Sequence, residues 1–280
     1  MILNKTVAFI GAGSMAEAMI AGIVNENKLA PERVIVTNRS NEQRREELLA
    51  KYGISVTKSI EFAVQEANAI ILAMKPKDAE QALAGIKDLL RPDQVVFSVL
   101  AGVSTSFMEE NLNEGQPVVR VMPNTSSMIG ESITAISTGK HASMEDVVFA
   151  KELLTGIGKV VTIKEEQMDV FTGVAGSGPA YFYYLIEHLE QAAIEGGLDE
   201  EIARDVAVQT VFGASKMVME TNESPSTLRE NVTSPNGTTA AGLEALAQFG
   251  GGSAIKEAVR SAAERSKEIC ESFEKKPANV

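Results

Sequence analysis

A chain of 280 residues exceeds a usual single domain, and 44% hydrophobic with 23% charged residues is the mixture of a packed globular protein, not a disordered or fibrous one. The formal net charge of −12 excludes a nucleic-acid or anionic-membrane partner, since either needs a basic face to displace counterions. An anionic ligand must then be held by local backbone dipoles and a few placed cations. The single Cys270 cannot form an internal disulfide, and with His141 and His188 far apart it offers no metal-ligand spacing. A reducing cytoplasm is therefore the expected compartment. The first residues run straight into a strand pattern with no signal peptide. The strongest apolar run, 69–74, is far short of the roughly 20 residues that span a bilayer.

From Lys5 to about Ile163, β-rich runs at 7–10, 34–37, 69–73, 95–99, 118–121, 133–136 and 160–163 alternate with helical patterns, which predicts a mainly parallel, doubly wound α/β sheet covered by helices. The runs 69–73 and 95–99 are continuously apolar and are expected in the centre of the sheet. After Glu165 the β-branched runs vanish, and helices are expected at 179–195, 199–220, 226–231, 239–248 and 253–273, with fraying at 274–280. This predicts a dinucleotide-binding domain over 1–164 and an all-helical domain over 165–280.

The first strand ends in Gly11-Ala12-Gly13-Ser14-Met15-Ala16. Gly11 permits a tight turn, Gly13 lets the backbone approach a pyrophosphate, and small Ala16 lets the following helix pack closely on the sheet. This is the Rossmann-type arrangement, in which helix N-terminal N–H groups face the phosphates. At the end of the second strand, where NAD enzymes often carry a carboxylate, stand Asn38, Arg39 and Ser40. A carboxylate there would repel a 2′-phosphate, whereas Arg39 can pair with it, so NADPH is expected ahead of NADH unless Arg39 is only a solvated arginine. Ala73-Met74-Lys75-Pro76 ends a third run. Lys75 either approaches the cofactor or belongs to a simple strand stop. Ala101 and Asn124, beyond the next two strands, complete the candidate cofactor set; Asn124 lines the nicotinamide pocket or caps a turn.

Two small-residue segments interrupt the helical half: Ala175-Gly176-Ser177-Gly178-Pro179, and Val232 to Ala240 with Ser234, Gly237, Thr238 and Thr239. Each reads as a loop leading into a helix. Exposed N–H groups and the hydroxyls of Ser177, Thr238 and Thr239 can cradle a carboxylate there, and an ordinary N-cap is the alternative for either.

Together the Gly11 turn, Met74-Lys75-Pro76, Arg120 to Thr125, Gly173 to Tyr184 and Val232 to Gly242 resemble the pyrroline-5-carboxylate reductase family across essentially the whole chain. The resemblance implies reduction of 1-pyrroline-5-carboxylate to L-proline, and a helical domain that interlocks with a second copy in a homodimer, within assemblies up to a decamer. It implies that Thr239 contacts the imine nitrogen, that Thr238 and Ser177 belong to the carboxylate site, and that Glu165 and Asn231 touch substrate and cofactor respectively. Two positions depart from the family: Asn236 replaces a frequent glycine, and Lys58-Ser59-Ile60 lacks a common asparagine. Asn tolerates positive φ better than most residues.

Neither histidine lies in a motif; a packing or solvated role is expected for both His141 and His188. Two rivals are a β-hydroxyacid dehydrogenase, which needs a central-helix lysine such as Lys216, and an NADPH-binding regulator without turnover. The intact Ser234 to Thr239 segment opposes the latter.

Overall fold

The computed structural model describes residues 4–274. Eight strands form one sheet in the order β3-β2-β1-β4-β5-β6-β7-β8. They are β1 (Val7–Ile10), β2 (Val34–Thr37), β3 (Ser55–Thr57), β4 (Ala69–Leu72), β5 (Val95–Ser98), β6 (Val118–Met122), β7 (Ser132–Thr138) and β8 (Gly158–Thr162). The first six run parallel in the 3-2-1-4-5-6 order of dinucleotide-binding folds. β7 reverses against β6, and β8 runs parallel to β7. The two continuously apolar runs are β4 and β5, in the middle of the sheet as expected. The seven expected runs are all strands. β3 was absent from them because it is a short edge strand, exposed or half-buried along its length and so without a hydrophobic signature.

Helices α1 (Ser14–Asn25), α2 (Glu42–Tyr52), α3 (Ile60–Glu66), α4 (Ala79–Lys87), α5 (Thr105–Asn111) and α6 (Met144–Leu154) connect the strands. Alternate strand residues serve opposite faces. Val7, Phe9, Val34, Val36, Ile71 and Phe97 pack with Met19, Ile20, Ile23, Leu48 and Leu153 on one side. Ala8, Ile10, Ile35, Ile70, Leu72 and Val96 pack with Val64, Leu83, Ile86 and Met108 on the other. At about 1.5–3 kcal/mol for each large apolar side chain removed from water, these two clusters are the main source of stability for the sheet.

Packing divides the chain into two units: one reaches Ser177 and resumes at Arg260, the other is Gly178–Val259. The sequence texture changes earlier, at 165, because α7 (Met168–Phe171) and the π-helical turn Thr172–Gly176 are helical in sequence yet belong to the sheet-bearing unit. The end of the last helix belongs there too: Ser266 Oγ donates to Asp169 Oδ1 at 2.7 Å, and Phe273 stacks on Phe107.

The second unit holds α8 (Gly178–Glu195), α9 (Glu200–Glu220), α10 (Pro225–Asn231), α11 (Thr238–Gln248) and the start of α12 (Gly251–Glu274). All five expected helices are present; α12 starts at Gly251, two residues before the Ser253 expected. Of the fraying expected for 274–280, Glu274 is the last residue of α12 and 275–280 lie outside the described residues. In this unit α8 and α9 are tied by Arg204 to Glu190 at 2.8 Å.

Candidate functional site

The glycine turn is held between two strand ends. Gly11 has φ +115°, a region L side chains rarely enter, and a Cβ there would collide with the Ala73 carbonyl. Its N–H donates to the Thr37 carbonyl at 3.0 Å, and the Ala73 N–H donates to the Ile10 carbonyl at 3.0 Å. Gly13 is the N-cap of α1 and brings no capping side chain, while a Cβ on it would meet only the Ala73 oxygen, at 4.0 Å. The space over Gly13 is therefore open, and the first N–H groups of α1, those of Ser14, Met15 and Ala16, have no intrahelical acceptor. Ala16 is fully buried, so the helix packs tightly behind the turn. This cradle fits a dinucleotide pyrophosphate.

Glu17 sits in the first turn of α1, where a bare negative charge would oppose that use. It is neutralised by Lys51 Nζ at 2.8 Å and by Arg44, and it accepts from Tyr52 at 3.1 Å. Hydrogen bonds from Lys51 and then Arg44 hold its carboxyl at about 2, against an ordinary 4.5. Arg44 Nε also donates to the Ala12 carbonyl at 3.0 Å, pinning the turn from α2. Sequence reasoning missed Arg44. No local pattern links it to a turn 32 residues away.

At the end of β2, Asn38 Oδ1 accepts from the N–H groups of Ser40 at 3.2 Å and Asn41 at 3.0 Å. Its carbonyl oxygen is therefore spent on shaping the turn, and its amide NH2 remains as donor. Arg39 and Ser40 are exposed, and the Arg39 side chain makes no hydrogen bond or ion pair among the described residues. An exposed guanidinium without a protein partner, beside Ser40, fits a 2′-phosphate.

Ala73 is buried and Met74 half-buried, whereas Lys75 is exposed and opens the 3-10 turn Pro76–Asp78. Ala101 packs against the small buried cluster of Met122, Ala135 and Met168. Asn124 caps a turn, its Oδ1 accepting from the Ser126 N–H at 3.0 Å, and its Nδ2 donates to the Ala175 carbonyl at 3.0 Å. The segment expected as a loop around Gly176 and Ser177 is instead a π-helical turn, Thr172–Gly176, that ends in a bend at Ser177. The Ser177 N–H is committed to the Thr172 carbonyl at 2.9 Å, so it is not an open donor. Small residues without a β-branched run read as loop, and a π turn lacks a sequence signature of its own. Glu165 Oε1 accepts from Arg120 Nη1 at 2.8 Å and from Thr105 N–H at 3.3 Å. Arg120 is 2% exposed, so removing Glu165 would leave a buried guanidinium without its counter-charge.

In the helical unit, Gly178 is buried at the start of α8. Asn231 Nδ2 donates to Glu223 Oε2 at 3.1 Å. The Gly237 N–H donates to the Ser234 carbonyl at 3.0 Å, closing a turn in which Pro235 is followed by Asn236 at φ +58°. The asparagine thus adopts the conformation that a glycine would take more cheaply. Gly237 is the N-cap of α11 and, as for α1, supplies no side-chain cap. Thr238 and Thr239 form the first turn, exposed and half-buried, and no acidic residue stands there. Two open helix N-termini therefore carry the anion-binding capacity that the net charge denies to the molecule as a whole.

Lys216 is exposed and pairs with Glu220 at 3.6 Å along α9, which gives it the role of a surface residue. His141 and His188 are exposed; His188 stacks on Tyr184 within α8 and is not packed into a core. Among the described residues no three His, Cys, Asp or Glu side chains gather as metal ligands, and no helix is long and apolar enough to cross a membrane.

Residues 165–269 match the family of pyrroline-5-carboxylate reductase dimerisation domains, and residues 6–102 match the family of coenzyme F420-dependent NADP oxidoreductases. Pyrroline-5-carboxylate reductase 1 of Bacillus subtilis is 56% identical over 272 residues, covering 97% of this chain and 92% of that protein. The Arabidopsis thaliana pyrroline-5-carboxylate reductase is 36% identical over 95% of this chain and 96% of its own. The Plasmodium falciparum pyrroline carboxylate reductase structure with NADP bound superposes with TM-score 0.88 at 29% identity, over 95% of this chain and 98% of that one. With a 56% identical relative matched over nearly its whole length, the chain belongs to the pyrroline-5-carboxylate reductase family.

Proposed function

We propose that the protein reduces the cyclic imine 1-pyrroline-5-carboxylate to L-proline in the last step of proline biosynthesis, with NADPH preferred to NADH. The observation that carries this reading is the turn from Ser234 to Gly237 opening α11, with Thr238 and Thr239 in an uncapped first turn free of acidic residues.

Gly11, Ala12, Gly13, Ser14 and Met15 hold the pyrophosphate, with Asn38, Arg39 and Ser40 around the 2′-phosphate. Ala73 to Pro76, Ala101, Asn124 and Asn231 complete the cofactor contacts. The preference for NADPH rests on Arg39, exposed where a carboxylate would repel the phosphate. When bound, the cofactor supplies the hydride that adds to the carbon of the C=N bond.

Glu165, Gly176, Ser177, Gly178, Ser234, Gly237 and Thr238 hold the substrate, its carboxylate taken by backbone N–H groups and hydroxyls. The Thr239 hydroxyl donates to the lone pair that the ring nitrogen gains as the carbon is reduced. A nitrogen that arrives protonated becomes a neutral amine as the carbon is reduced, so no strong protein acid is required, and both histidines stand outside the proposed residues. Orientation then supplies much of the acceleration. The assembly in this reading is a homodimer formed through the helical unit, with a decamer as its larger form, in the cytoplasm to which the single Cys270 is suited.

The test is NADPH oxidation by the purified protein with 1-pyrroline-5-carboxylate. Imine-dependent oxidation with L-proline as product is expected. Tight NADPH binding without turnover would leave a cofactor-binding regulator instead.

A further inference from the structure

Arg120 is a charge in the middle of the strand Val118–Met122, and it is 2% exposed. The pleat puts it on the face of Val118 and Met122. Its neighbours in register are Ser98 on β5 and Ser137 on β7, both buried. A guanidinium in such a place requires a counter-charge. Glu165 Oε1 supplies it at 2.8 Å, from just beyond the end of β8.

The same oxygen accepts from the Thr105 N–H, the residue that opens α5 four positions after Ala101. Both protein donors thus converge on Oε1. Glu165 Oε2 is buried and has no hydrogen-bond partner among the described residues, and neither do Arg120 Nε and Nη2. A desolvated carboxylate oxygen with nothing to accept is costly until a donor arrives.

We propose that Arg120 is a positioning residue for imine reduction: it fixes the Glu165 carboxylate through Oε1 and leaves Oε2 to accept the N–H of a protonated cyclic imine. The inference rests on the reading that Glu165 contacts the substrate. Arg120 does not touch the substrate and acts only through Glu165. Anchoring one oxygen fixes the rotation of the carboxylate, so the second oxygen is presented without loss of side-chain freedom on binding. The Thr105 bond ties that same carboxylate to the helix following the Ala101 loop.

The experiment is steady-state kinetics on the full-length enzyme and on Arg120→Met, Arg120→Lys, Glu165→Gln and the double variant Arg120→Met with Glu165→Gln, varying imine and NADPH separately. Loss of one charge-assisted contact predicts an imine KM raised about tenfold in Glu165→Gln and in Arg120→Met, with NADPH KM within about twofold of wild type. The double variant is expected to be no worse than Glu165→Gln alone, because Arg120 acts through that carboxylate. Should Arg120→Met fail to fold, Arg120→Lys carries the test: an ammonium on a more flexible stem holds Oε1 less firmly and raises imine KM about threefold, and adding Glu165→Gln gives the Glu165→Gln value. A lowered Tm with unchanged imine KM, a parallel rise in both KM values, or effects that multiply in the double variant would each overturn the proposal. If Glu165→Gln is effective and Arg120→Met silent, the positioning role alone falls; if Glu165→Gln is silent, the substrate contact falls and takes the inference with it.

Discussion

The two units treat their apolar side chains in opposite ways. In the sheet-bearing unit, β1, β2, β4, β5 and β6 are buried at every position, and helices cover both faces. In the helical unit the buried residues are Gly178, Ala203 and Ala207, while Tyr184, Phe212 and Phe249 stand 63%, 56% and 85% exposed. Each such side chain left in water forgoes about 1.5–3 kcal/mol, and patches of this kind mark interaction surfaces. The sheet unit thus builds a core from its own side chains, whereas the helical unit buries little of its own, and residues 165–269 match a dimerisation family; the proposed cover is a second copy. The residues proposed to bind the dinucleotide lie, Asn231 apart, in the sheet-bearing unit; Thr238 and Thr239, proposed to make the chemistry specific, lie in the helical one.

Substitutions in each unit can break or sharpen this contrast. The largest effect is expected from Gly11→Val, which adds strain at φ +115° and a collision with the Ala73 carbonyl; NADPH affinity should fall at least about a hundredfold by fluorescence titration, with the oligomer intact. Phe212→Asp should do the reverse, weakening self-association about thirtyfold, as loss of an interface anchor does. Analytical ultracentrifugation reads that shift, and unchanged association would mean that this face is not covered by a second copy. Arg39→Asp should raise KM for NADPH about tenfold while leaving KM for NADH nearly unchanged; equal effects would remove the cofactor argument.

The smallest effect concerns Glu17. Its carboxyl is lowered to about 2 in the folded chain from 4.5, so its stabilisation is complete above pH 4.5 and is lost as pH falls through about 2. Wild type should therefore exceed Glu17→Gln in urea midpoint near neutral pH, and the gap should close across that acid window. A gap that persists at the acid end would contradict the assignment.

What could be read in advance follows the same division of local from non-local. Glycine turns, apolar strands and capped helix starts are local, so the Gly11 turn, seven of eight strands and the five C-terminal helices were legible, as was positive φ at Asn236. β3 escaped because its half-exposed edge position removes the apolar signature. The π turn escaped because its small residues, Gly173, Ala175 and Gly176, look like loop composition. Arg44 on Ala12 and Arg120 on Glu165 join residues 32 and 45 positions apart. Arg120 was named only as the start of the segment to Thr125, and its partner was not legible.

The central claim is that Thr239, in the helical unit, serves imine reduction and not cofactor binding. The direct test measures kcat/KM for 1-pyrroline-5-carboxylate and the NADPH Kd on the same preparations of wild type and Thr239→Ala. Loss of one hydrogen bond to the ring nitrogen predicts a fall in kcat/KM of about tenfold or more with NADPH Kd within about twofold. Wild-type kcat/KM in Thr239→Ala, or a matching loss of NADPH affinity, would contradict the account.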